Sequence, residues 1–138
     1  MNKRQLILAF MLVVLTNSIA FPKTPARSWL RGRWEGTGYQ TDDDSTWPMR
    51  LSITSSKRGT RVFSIDYPSL DCGGNWKLLK FGQGRAIFQE QLSHGQDKCT
   101  DKGLVYLERK NRKQAVYLYR IAGGREFTAA AVLNRKQD

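Results

Sequence analysis

The feature that most limits what this chain can fold into is its rhythm. Short runs in which every second side chain is apolar are broken by turn residues about every ten to fourteen positions. The clearest run is 47–54, where Trp47, Met49, Leu51 and Ile53 alternate with Arg50, Ser52 and Thr54. A period of two places alternate side chains on opposite faces of a strand. After residue 27 no segment sustains the 3.6-residue apolar period of an amphipathic helix.

Read in order, strands are expected at 33–40, 47–54, 61–67, 75–81, 85–92, 103–108, 115–121 and 127–133. Between them stand turn signals such as Asp42-Asp43-Asp44, Lys57-Arg58-Gly59, Gly82-Gln83-Gly84 and Gly123-Gly124. Short links favour pairing between consecutive strands, so the expected fold is all-β, an eight-stranded up-and-down barrel. Closure removes the edges that an open sheet would expose. A two-sheet sandwich is the competing architecture.

The N-terminus is not part of that pattern. Lys3 and Arg4 precede an apolar run at 6–15, and Ser18-Ile19-Ala20 offers small residues at the −3 and −1 positions of a cleavage site. That is the layout of a secretory signal peptide, with Ala26 as a second cleavage candidate. An uncleaved anchor is the alternative, although 6–20 is short beside the roughly 20 apolar residues of a membrane span. The expected organisation is a signal peptide at 1–20, a linker at 21–31, the barrel at 32–135 and a tail at 136–138. The expected location is secreted or periplasmic, with no membrane span after cleavage.

Export makes the two cysteines, Cys72 and Cys99, read as a disulfide. In a meander, Cys72 falls in the third connection and Cys99 in the fifth, so both lie at the same end. No metal site is expected, because a lone His94 and no C-x-x-C pair leave too few ligands. Asp42-Asp43-Asp44 lacks the spacing of a calcium loop and reads as a solvated tip.

Charge gives the first functional clue. The chain carries +11, and loss of Lys3 and Arg4 with an acid-free leader leaves +9. Such a domain favours polyanions, or gains only solubility. The meander sorts this charge by end. Connections one, three, five and seven hold seven acids against three bases, whereas Lys57, Arg58, Arg61, Lys80, Arg85, Arg109, Lys110, Arg112 and Lys113 gather at the other end with Glu108 at their border.

Catalysis is not expected, and neither is a cofactor. His94 is the only imidazole, and a nucleophile needs a base beside it. Glu90 stands apart, because alternation puts it on the face of Phe88 and Leu92 and turns a carboxylate inward. A buried carboxylate needs a partner or a proton. An inward Arg is the expected structural partner, and a ligand-binding or catalytic acid is the alternative. Rings at Tyr39, Trp47, Tyr67, Trp76, Tyr106, Tyr117 and Tyr119 among the bases could stack on nucleotides, but barrel core accounts for most of them. Nucleic acid is not an expected partner.

Two resemblances add to this reading. Gly32-Arg33-Trp34 opening the first strand, with Arg135 after the last, resembles the calycin barrels, the lipocalins and avidins. It implies that Trp34 plugs one barrel end and Arg135 stacks over it. Residues 65–74 (Ile-Asp-Tyr-Pro-Ser-Leu-Asp-Cys-Gly-Gly), then Phe88-Gln89-Glu90, Cys99 and Gly103 to Leu107, resemble a family of bacterial extracytoplasmic domains. Its members stand alone as secreted proteins or form outer domains of bacterial serine/threonine kinases. That resemblance implies location and fold and supplies no active site.

Three functions fit. The favoured one is a non-enzymatic binding module that holds an anionic envelope polymer or an acidic protein surface at its basic end. The second is an inhibitor of an extracellular enzyme, a role that small disulfide-bearing barrels fill for lysozyme. The third is a small-molecule carrier of lipocalin type.

Overall fold

Alternation does produce strands here. The computed structural model describes residues 28–137, so the leader, its cleavage site and most of the linker lie outside the described residues. A 3₁₀ turn, Ser28–Leu30, leads into eight strands: β1 (Gly32–Gln40), β2 (Thr46–Ser55), β3 (Arg61–Tyr67), β4 (Cys72–Gly82), β5 (Arg85–His94), β6 (Leu104–Arg109), β7 (Gln114–Arg120) and β8 (Ala129–Arg135). Every consecutive pair is antiparallel, and β8 closes on β1. The fold is an up-and-down barrel, and the sandwich is set aside.

The inward faces make one core. Met49, Leu51 and Ile53 of β2, Phe63 and Ile65 of β3, and Val105 and Leu107 of β6 are buried on the alternation that sequence predicts. Rings fill the middle. Phe88 lies 4.9 Å from Phe63 and 5.5 Å from Trp76, and Trp76 stacks on Tyr117 at 5.8 Å between centroids. Small residues on β8, Ala129 and Ala131, make room opposite Tyr117 and Tyr119. A small barrel filled this way is a packed core rather than a pore.

One end is plugged. Trp34 is 1 % exposed, and Trp29 and Leu30 from the 3₁₀ turn are buried with it. The Trp34 indole N–H donates to the Arg31 carbonyl at 3.2 Å. The guanidinium carbon of Arg135 sits 4.5 Å from the Trp34 ring centroid, and one of its N–H groups donates to the Trp29 carbonyl. Burial and the nearby Arg109 pull the Arg135 pKa below its usual value.

Four local expectations need correction. Cys72 opens β4 rather than sitting in a loop, because Pro68–Leu70 and left-handed Asp71 (φ 51°) reverse the chain at once and pair Tyr67 with Cys72. Gly73 and Gly74 are therefore strand residues. A Cβ on Gly74 would lie 2.2 Å from the Gln91 carbonyl, so only glycine permits this pairing. His94 ends β5, held there by pairing with Gly73, and is not a loop residue. The last strand starts at Ala129. Phe127 stays in the connection, where its ring meets Tyr106 edge-on at 5.2 Å outside the barrel. Arg135 accordingly belongs to β8 and pairs with Trp34.

Candidate functional site

The connections after β1, β3, β5 and β7 surround an open mouth, and those after β2, β4 and β6 surround the plugged end. The disulfide Cys72–Cys99 is formed at the mouth, with Cα atoms 6.4 Å apart, within the usual span of a bridge. It ties the start of β4 to the 95–103 connection. Gly95 (φ 71°) is pressed against Cys72, so that a Cβ there would come within 2.4 Å of the Cys72 Cβ. The bridge therefore needs a glycine beside it.

Inside the mouth is a cavity of about 230 Å³. Its floor carries Glu90, which is 2 % exposed. The expected inward Arg is absent among the described residues. The partners are Tyr67, whose hydroxyl donates to Glu90 Oε2 at 2.5 Å, and Trp76, whose indole N–H donates to the same oxygen at 2.9 Å. The reason lies in the register. Trp76 is directly opposite Glu90 across the β4–β5 pair, and Tyr67 comes in from β3. These inward positions hold rings, while the arginines occupy outer faces or strand ends.

Burial pushes the Glu90 pKa up, the two donors oppose that, and Asp101 adds to it. Burial also raises Tyr67 and Tyr117 well above the usual phenol range and raises Tyr119 too, each helped by the Glu90 charge. All three phenols thus stay protonated at neutral pH. The Tyr119 hydroxyl donates to the Thr100 carbonyl at 3.1 Å, and Gly103 makes space for that ring, since a Cβ there would fall 2.1 Å from it.

A raised carboxyl pKa makes the folded state bind a proton more tightly than the unfolded chain. The resulting stabilisation is full below the unfolded value near 4.5 and is lost as pH rises through the folded value. Glu90→Gln keeps an acceptor for Tyr67 and Trp76 without the charge. Its stability relative to the parent should therefore increase as pH rises through that window. Urea midpoints at several pH values check this, and a constant difference would mean that Glu90 titrates normally.

At the plugged end, Lys57, Arg58, Lys80, Arg85, Arg109, Lys110, Arg112 and Lys113 are all exposed, and Arg61 is half-buried. Arg85 pairs with Glu108 at 3.2 Å, and the pair is exposed. An even number of strands brings both ends of the barrel chain here, which adds Arg31, Arg33 and Lys136 to the same end. Sequence inspection missed these three, although strand parity was enough to place them. Lys136 is held by Glu35 at 3.0 Å. A shallow depression beside the plug is lined by Arg31, Arg33, Ser52 and Thr54.

The Asp42-Asp43-Asp44 tip is used by its own turn. Asp43 accepts from the Ser45 N–H at 2.9 Å, and left-handed Asp44 accepts from the Tyr39 hydroxyl. Among the described residues no cluster of three His, Cys, Asp or Glu side chains is arranged to hold a metal, and no helix is long and apolar enough to cross a membrane. Comparison with known proteins finds no family model and no curated protein that matches the chain.

Proposed function

We propose that the protein is an extracytoplasmic binding module whose plugged, basic end rests on an anionic envelope polymer or an acidic protein surface. The observation that carries this reading is the sorting of charge along the barrel axis. The three connections at the plugged end, 56–60, 83–84 and 110–113, contain five bases and no acid, while the four mouth connections contain seven acids and three bases. A dipole of this kind orients the molecule as it approaches a polyanion. The disulfide agrees with an oxidising compartment, and the resemblance to bacterial extracytoplasmic domains supports the same location.

A carrier of lipocalin type fits less well, because Phe63, Phe88, Trp76 and Tyr117 occupy the space that a carried apolar molecule would need. An inhibitor acting on an acidic extracellular enzyme would use the same basic end, so it differs in partner and not in surface.

Reversing Lys57, Arg58, Arg112 and Lys113 to Glu should abolish salt-sensitive binding to an anionic polymer such as heparin or teichoic acid. These four side chains are exposed and lie in turns, so the thermal midpoint should move by only a few degrees. Binding of the parent should weaken steeply between low salt and about 0.15 M, where the Debye length is about 8 Å. Equal retention of variant and parent on the polymer would reject the basic end as the contact surface.

A further inference from the structure

The mouth cavity has a composition that the basic-end reading does not use. Glu90 is almost wholly buried at its floor, and both hydrogen bonds it receives converge on Oε2. Among the described residues no cation forms an ion pair with it. A carboxylate held in this state is costly, because removal from water is not repaid by a counter-charge. The walls around it carry the rings of Trp47, Tyr67, Tyr117 and Tyr119. Asp43 stands at the rim, and the surrounding connections carry a net charge of −4, three bases against seven acids. Lys98 also lines the cavity, but its ammonium is drawn to Asp71 at 2.5 Å.

We propose that this cavity binds an alkylammonium group, with the positive head at Glu90 Oε1 and the aliphatic chain between the aromatic walls. Each part of the site has a separate role. Tyr67 and Trp76 fix the carboxylate plane through Oε2 and leave the second oxygen for the ligand. The rings attract a cation through their faces, an effect that grows when water is excluded. The acidic mouth concentrates cations and repels anions. The volume of about 230 Å³ is below the range of drug-sized pockets and admits one short chain. The ammonium can belong to a free small amine or to a lysine side chain presented by a partner protein.

The site titrates as a unit. Glu90 faces Tyr67 from β3, Trp76 from β4, Tyr117 and Tyr119 from β7, and the Asp101 charge from the connection after β5. The phenols stay neutral, so the charge of the site follows the Glu90 carboxyl. Binding should strengthen as pH rises and Glu90 loses its proton.

Calorimetric titration of the folded protein with n-butylammonium, with Nα-acetyl-lysine methylamide and with the uncharged alcohol n-pentanol, one methylene longer than the amine, tests the proposal. Both amines should bind, with pentanol at least tenfold weaker, and affinity should rise from pH 5 to pH 8. Tighter binding of butylammonium identifies a free amine as the source, and tighter binding of the lysine derivative identifies a partner's side chain. Glu90→Gln, which retains an acceptor for Tyr67 and Trp76, should lose at least tenfold affinity and become flat with pH. If that variant misfolds, the pH series and the pentanol comparison on the unaltered protein still decide. Equal binding of amine and alcohol, binding insensitive to pH, or an unimpaired Glu90→Gln would overturn the proposal. None of these results depends on the basic end, so the two readings fail separately.

Discussion

Replacing Trp34 by Ala is expected to lower the unfolding free energy by about 3–5 kcal/mol, the range for a buried large ring deleted from a packed core. Trp34 is 1 % exposed and closes the plugged end with Leu30 and Trp29, so little around it can collapse into the void. Arg135→Ala should cost about 1–2 kcal/mol, through the ring contact and the packing of its aliphatic stem. The two effects should not add. In a protein already lacking Trp34, removal of Arg135 should cost less, and the shortfall measures the stacking. Urea unfolding of the four proteins of that cycle gives all the terms. Strict additivity would mean that the two side chains stabilise the end independently.

Loss of the disulfide is the second large effect. Paired Cys72→Ala and Cys99→Ala substitution should cost roughly 3–4 kcal/mol in the chain-entropy picture, given the sequence separation of 27. The consequences should be uneven across the molecule. At the mouth, the 95–103 connection is held by the bridge, by the Cys99 N–H on the Gly95 carbonyl and by Tyr119 on Thr100. Those residues should lose hydrogen-exchange protection, while Leu51, Phe63 and Leu133 at the far end should keep theirs until global unfolding. Amide exchange followed residue by residue checks the contrast. A change of less than about 1 kcal/mol would show that the remaining contacts already hold the connection in place.

Much of the barrel could be read from residue order because its information is local. Met49, Leu51 and Ile53 announce an inward face by alternation alone, and even-numbered closure follows from short links. Glu90 was legible as inward for the same reason. Its partners were not, because Tyr67 and Trp76 are brought to it by the register of β3, β4 and β5, and register is set by turns and bulges rather than by alternation. The bulge at Gly73/Gly74 shows the difficulty. Two glycines beside a cysteine look like a loop, yet here they are strand positions chosen for close backbone approach. Phe127 misled in the opposite direction, since its ring packs on the outside of the barrel against Tyr106.

The β1–β8 seam has a mechanical consequence. Gly32 and Arg135 leave the barrel at the same end, and the two strands run antiparallel between them. A force that draws the two termini apart would therefore load the seam's hydrogen bonds one after another, as a zipper opens, and never all at once in shear. A barrel closed this way should yield at low force when pulled from its ends. The first seam bond to feel the load runs from the Lys136 N–H to the Arg33 carbonyl, and the pair Trp34 with Arg135 follows at once, so the stacked ring and guanidinium back up the latch of the whole cylinder. Pulled instead between the β4–β5 turn and the mouth, the same molecule should resist far more strongly, because its strands would then have to slide past one another.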